Sequence, residues 1–143
     1  MSRGDDFDFS ELYDFTDQLI GLAERKFPAE VKRFMRAEGN KLRKLILVRA
    51  KSDVKKNSGN YIRGIKRGKV YRYEGDQTAI RVYNSAPHAH LIEKGHRQVA
   101  KDGTEVGFVK GKLVFEKSKK EFESTFYADC EEFVEELLDK GMR

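Results

Sequence analysis

Phe9, Leu12, Phe15, Leu19 and Leu22 recur at spacings of three and four, which lays one apolar stripe along a helix. Ser10 supplies a side-chain oxygen suited to cap its start. Pro28 breaks the stripe and fits the first turn of a second helix, where a missing N–H leaves no bond unmade. Val31, Phe34, Met35, Leu42, Leu45 and Ile46 give that helix its buried side from Pro28 to about Lys51, and Arg36, Lys41, Arg43, Lys44 and Arg49 occupy other positions. The cluster Asn57-Ser-Gly-Asn60 reads as a turn. Beyond it the period shortens to two. Residues 61–67, 69–73 and 78–83 alternate apolar and polar, with reversals expected at Gly68 and Gly75-Asp76, the pattern of an antiparallel meander. Pro87 opens a short helix from His88 to about Lys94, stopped by Gly95. Residues 96–112, with Gly103, Gly107 and Gly111 spread through them, read as a flexible loop with room for a short hairpin around Val106–Val109. Phe115, Lys119, Phe122, Phe126, Cys130, Phe133, Leu137 and Leu138 then predict a long last helix, with Gly141 just past its end.

The expected fold class is therefore α+β: long N-terminal helices and a long C-terminal helix on a small antiparallel β-meander, with a short helix and a mobile loop between sheet and last helix. The 143 residues suit a single domain, 1–143, with 1–9 flexible. Hydrophobic residues make up 38% of the chain and charged ones 37%, so the core is thin and much of the surface is solvated or meets a partner. The polar, acidic start does not resemble a signal peptide. No stretch approaches eighteen apolar residues, so no membrane contact is expected.

The net charge of +5 conceals a sharper arrangement. Between Lys41 and Arg72 there are twelve Lys or Arg against Asp53 alone, whereas Glu121 to the end holds eight acids against Lys140 and Arg143. The first seventeen residues are also acidic, with six acids against Arg3. A basic middle and acidic ends indicate either a nucleic-acid patch or complementary faces that meet within or between subunits.

Candidate chemistry is sparse. His88, His90, Glu93 and His96 contain two residues three apart on one helix face, but the spacing matches no established zinc motif, and polar helix-end histidines explain it better. Cys130 lies at helical spacing from Phe126 and Phe133, the place of a small buried hydrophobe, and its acidic neighbours disfavour a thiolate. No phosphate-cradling glycine motif is present. Glu131, Glu132, Glu135 and Glu136 belong to the solvated face of the last helix. No catalytic residue, metal or cofactor is expected. The candidate interaction residues are Arg63, Lys66, Arg67, Lys69 and Arg72, interleaved with Tyr61, Tyr71 and Tyr73 in a basic aromatic ribbon, together with Glu93 and Phe108.

Three local sequences resemble the neck and minor-tail protein family of long-tailed bacteriophages, also described as head–tail joining proteins. Ser58-Gly59, followed by Arg63-Gly64-Ile65, is similar to the family's Ser/Thr-Gly step from long helix to sheet. Val82-Tyr-Asn-Ser-Ala-Pro87-His-Ala-His-Leu-Ile-Glu93-Lys-Gly95-His96 resembles its strand followed by Ala-Pro-Tyr-Ala-x-x-Val/Ile-Glu-x-Gly-Thr/His. Gly107-Phe-Val-Lys-Gly111 leads into Leu113 and the last helix at the family's corresponding place. The chain departs from the pattern with Lys110 and Lys112 where proline is common, and Asn60-Tyr61 where leucine is usual.

The resemblance spans roughly residues 10 to 140. It implies a structural virion or assembly protein of the phage neck, which connects the portal and head-completion complex to the tail by forming or joining a ring. Its implied partners are other phage neck, connector and tail proteins and further copies of itself, with at most weak nonspecific DNA contact. The implied location is the virion, assembled in the host bacterial cytoplasm. Gly59 and Gly95 would then allow turn conformations closed to other residues, Pro87 would set the entry angle of the short helix, and Glu93 would pair with a basic group in the same or a neighbouring subunit. The alternative reading is a sequence-nonspecific nucleic-acid-binding module that uses the ribbon at 61–73.

Overall fold

The computed structural model describes residues 6–7, 23–55, 58–73 and 77–142. The apolar stripe from Phe9 to Leu22 and the reversal at Gly75-Asp76 lie outside these residues, as do residues 1–9 apart from Asp6 and Phe7. Residues 23–26 are helical, and Ala23 is buried.

The first long helix, α1, runs Pro28–Asp53 with the proline in its first turn. Val31, Met35, Leu42, Ile46 and Ala50 are buried at helical spacing, while Phe34 and Leu45 pack at the edge of the core. The helix stops where Val54 turns extended, its N–H still bonded to Ala50 O at 2.9 Å. At Gly39 the absence of a side chain lets the sheet come close. A Cβ there would lie 2.9 Å from Ile80 Cδ1 and 3.1 Å from Arg67 Cδ.

Residues 61–64, expected as strand, are instead helical. They complete a short helix, α2 (Ser58–Gly64), before β2 (Ile65–Arg67) begins. Tyr61 and Ile65 are both buried, one helical turn apart, so the spacing that read as alternation serves a helix followed at once by a strand. The carbonyl of Tyr61, an orphan at the helix end, accepts the side-chain N–H of Asn84 at 2.9 Å.

The sheet centres on β4 (Gln77–Asn84). Along one edge run β2 and β3 (Tyr71–Tyr73), both antiparallel to it, with pairs Arg67↔Val82 and Tyr71↔Ala79. Residues 68–70 therefore face only Ile80 and Arg81, three positions against two, and Gly68 N–H still reaches Arg81 O at 2.7 Å. Gly68 marks a bulge in one line of chain, not the reversal expected there. On the other edge β1 (Asp6–Phe7) pairs with Ile80 and Arg81. Ile80 and Val82 point inward onto α1, and Arg81 and Tyr83 are only part-buried.

The short helix α3 spans Ala89–Lys94 and ends at Gly95 with φ 89°. Where a flexible loop with room for a short hairpin around Val106–Val109 was expected, a longer hairpin forms, β5 (Gly95–Val99) and β6 (Glu105–Lys110), joined through Gly103, also left-handed at φ 89°. Asp102 Oδ1 accepts the Thr104 N–H at 2.9 Å, a local turn that holds this carboxyl below its usual range.

The last helix, α4, runs Val114–Leu137 and continues as a π-turn to Met142. Phe115, Ser118, Phe122, Phe126, Cys130, Val134 and Leu137 are buried along it. Phe34 stacks on Phe133 with ring centroids 4.3 Å apart and lies 6.1 Å from Phe126. Thus α1 lies between the sheet and α4, and one hydrophobic cluster joins all three. The mixed architecture is α+β. Among the described residues no helix is long and apolar enough to cross a membrane.

Candidate interaction surfaces

The sequences singled out around 58–64, 82–96 and 107–113 converge on one end of the molecule. Asn84 accepts the Ala86 N–H at 2.9 Å through Oδ1 while its amide holds Tyr61 O. Ser85 N–H donates to Gly64 O at 2.9 Å. Gly64 has no space for a side chain: a Cβ there would sit 2.1 Å from Asn84 Oδ1 and 2.9 Å from Ala86 N. The end of α2 and the end of β4 are thereby locked together.

Glu93 was expected to meet a cation. Within this chain its carboxylate instead accepts the backbone N–H groups of Phe115 and Glu116, at 3.0 and 3.1 Å. It caps α4 from 22 residues away, placing negative charge where the helix dipole is positive. Lys112 N–H bonds Ile92 O at 2.8 Å, and Leu113 N–H bonds Glu93 O at 3.0 Å. Leu113 is left-handed at φ 52°, a strain of about 1 kcal/mol that these bonds offset. Gly95 and Gly111 lie back to back: a Cβ on Gly95 would be 2.4 Å from Val109 O, and one on Gly111 2.3 Å from Glu93 O.

From this base the hairpin projects as an arm. Every residue of β5 after Gly95 is exposed, and Val99, Val106 and Phe108 are each at least 60% exposed. The Phe108 ring reaches back over Gly95, 2.9 Å from where a Cβ would stand.

The basic ribbon does not form one face. Arg63 lies on α2 and donates to Asn60 Oδ1. The Arg67 stem turns inward across Gly39, and its Nη1 is buried without a hydrogen-bond partner among the described residues. Tyr61 is buried at 2% exposure and presents no ring for stacking. Lys66, Lys69 and Arg72 remain exposed. Beside them a shallow hollow of about 480 Å³ is lined by Gly68, Lys69, Tyr71, Arg81 and Tyr83, with the Arg81 guanidinium 5.2 Å from the Tyr71 ring centroid. Arg81 was not singled out from the sequence; its alternation with Ile80 and Val82 was the available signal. Gly59 sits in the first turn of α2, outside the left-handed region, so it is not the special turn expected there. Pro87 is exposed in the turn before α3.

Part of the charge asymmetry is resolved within the chain. Lys41 pairs with Asp129 at 2.6 Å, Arg49 with Glu121 and Lys140 with Glu30. Arg43 Nε also donates to Ile65 O at 3.1 Å, and Arg49 Nε to Ser118 Oγ at 3.2 Å. Glu38 was missed by sequence reasoning because it falls on the core side of α1 between Met35 and Leu42. It is 2% exposed, and Lys41 Nζ lies 3.5 Å from its Oε2. Burial, with the neighbouring Asp129 carboxylate adding to it, pushes the Glu38 carboxyl up to about 8, against the opposing pull of Lys41. The bond to Asp129 in turn holds the Lys41 ammonium above its usual range.

A cleft of about 560 Å³ opens between α2 and α3, lined by Tyr61, Pro87, Leu91, Ile92 and the edges of His88 and His96, among others. It is largely apolar. Among the described residues no group of three or more His, Cys, Asp or Glu is placed to hold a metal ion.

Comparison with known proteins covers the first two of the motifs that meet at this end and stops short of the third at 107–111, so the family is shown to residue 95 and not over the whole span of 10 to 140 expected from the resemblance. The family model HK97-gp10-like, described as "Bacteriophage HK97-gp10, putative tail-component", matches residues 14–95, more than half of the chain. No curated protein and no solved structure matches. The matched segment ends at Gly95, where the arm begins.

Proposed function

The chain belongs to the HK97-gp10-like family of phage tail components, and on that premise we propose that it is a non-catalytic structural protein of the phage neck. In this reading it joins the portal and head-completion side of the particle to the tail, as a ring or as part of one, with neighbouring neck and tail proteins as its partners. The observation that carries the proposal is the use made of the family-like residues. Gly64, Asn84, Glu93 and Gly95 fix backbone segments to one another and hold an arm clear of the body. They do not converge as titratable groups around a substrate.

The test is a phage in which the gene is silenced, with the chain supplied from a plasmid. Electron micrographs of the silenced lysate should show filled heads and free tails, and the plasmid should restore joined particles. Normal tailed particles without the chain would overturn the proposal.

The outer sheet face favours a second reading, sequence-blind contact with nucleic acid through Lys66, Lys69 and Arg81. Its weakness is that Arg81 already occupies a face of the Tyr71 ring. Fluorescence anisotropy with a duplex at two salt concentrations separates the readings. Tight, saturable binding by the isolated chain that falls steeply with salt supports this second one.

A further inference from the structure

The arm keeps three large apolar side chains in water. Val99, Val106 and Phe108 are 60%, 64% and 63% exposed, and among the described residues only Val48 is a comparable case. Removing such side chains from water is the main driving force of protein association. An isolated two-stranded ribbon is also marginal in water. This one is held out by its base: the Glu93 carboxylate on α4, the paired backbone bonds from Lys112 and Leu113, and the close contact of Gly95 with Gly111. The apolar side chains stand among charges: Arg97 pairs with Glu105 across the two strands at 3.8 Å, which leaves Lys101 and Lys110 against Asp102 as the arm's net positive charge.

The complement lies at the far end of α4. Residues 121–139 contain eight acids and no cation. Glu121 and Asp129 are used within the chain by Arg49 and Lys41. Glu131, Glu132, Glu135 and Glu136 are exposed and pair with no cation among the described residues. They flank Phe133, whose ring is only part-buried where it stacks on Phe34. Positive, apolar arm and negative, aromatic helix end are thus matched in both charge and character.

One chain does not bring the two together. The arm is anchored at Leu113, and residue 131 lies about 25 Å further along α4 at 1.5 Å per residue. A strand of five or six residues reaches roughly 17–20 Å. We propose that the β5–β6 arm docks on the acidic, Phe133-bearing end of α4 in a second copy of this chain. The inference rests on the assembly reading above and adds which surfaces meet. Because the two patches differ, the contact is head-to-tail, and its rotation decides between a closed ring and an open fibre. Phe108 is the anchor, and the ion pairs set approach and register more than affinity.

The test uses the full chain in low salt, followed by sedimentation velocity over a range of concentrations. Wild-type chain should self-associate. Phe108→Asp (arm disabled) and the pair Glu132→Lys with Glu136→Lys (acceptor disabled) should each weaken association about tenfold or more while circular dichroism stays unchanged, all three positions being exposed. Mixing the two variants should restore one contact and yield dimers that grow no further. A strictly monomeric wild type, association indifferent to Phe108→Asp, or no recovery on mixing would each overturn the docking. Plasmid rescue of the silenced phage keeps the two ideas apart. If Phe108→Asp rescues as well as wild type, the docking fails and the neck role stands; if particles need no copy of the chain, the neck role fails first.

Discussion

At the scale of single residues, Glu93 carries more of the architecture than its place in a short helix implies. Two backbone N–H groups at the start of a 24-residue helix depend on its carboxylate. Glu93→Ala should cost about 1–2 kcal/mol, the usual range for a lost cap, and lower the melting temperature by several degrees. Glu93→Gln keeps an acceptor but loses the charge, so it should fall between the two. Thermal denaturation of the three chains checks this order, and equal melting temperatures would remove the cap from the account. The sequence made Glu93 visible as a motif residue, but not its partners, because a cap that acts across 22 residues leaves no local spacing to read.

At the scale of elements, the joint between α2 and β4 leaves Gly64 less room for a side chain than any other described glycine has. Gly64→Ala would drive a methyl into Asn84 Oδ1 and the Ala86 amide, at a cost of roughly 1–3 kcal/mol by overpacking. In an Asn84→Ala background the same change should cost less, since one of the two obstacles is gone. Urea titrations of the double-mutant cycle measure that coupling. The elements themselves were unequally legible. Period and proline placed α1, and α4 followed from its phenylalanines, because a long amphipathic helix repeats its signal many times. The turn of helix at 61–64 was misread, since over four residues Tyr61 and Ile65 satisfy either period. The hairpin at 95–110 shows in the sequence only as a flexible loop with room for a short hairpin around Val106–Val109, because both its faces are wet and no buried side imposes an alternation. Its Asp102-Gly103 turn was the signal that could have revealed it.

At the scale of the whole molecule, charge both binds the layers and polarises them. The basic middle and acidic end seen in the sequence partly cancel where α1 lies against α4 and partly remain as separate surfaces. Only the side-chain contacts distinguish those fates. The buried member of that interface makes global stability depend on pH. The Glu38 carboxyl titrates near 8 in the folded chain and near 4.5 when freed, so the folded form holds the extra proton between those values. Its contribution is complete below about pH 4.5 and disappears as pH rises towards 8, an effect on the order of a few kcal/mol. Glu38→Gln should flatten that part of the profile and leave the variant more stable than wild type at pH 8 and above. Unfolding free energies from pH 5 to 9 provide the check, and parallel profiles would contradict it. The base of the arm has a consequence of another kind. The chain departs at Glu93 and returns at Lys112 across adjacent, hydrogen-bonded posts, so insertions and deletions between them alter reach and leave the packing of α1 on α4 untouched. Selection can therefore retool this protein for a differently spaced neighbour by changing the length of the arm, without having to rediscover a fold.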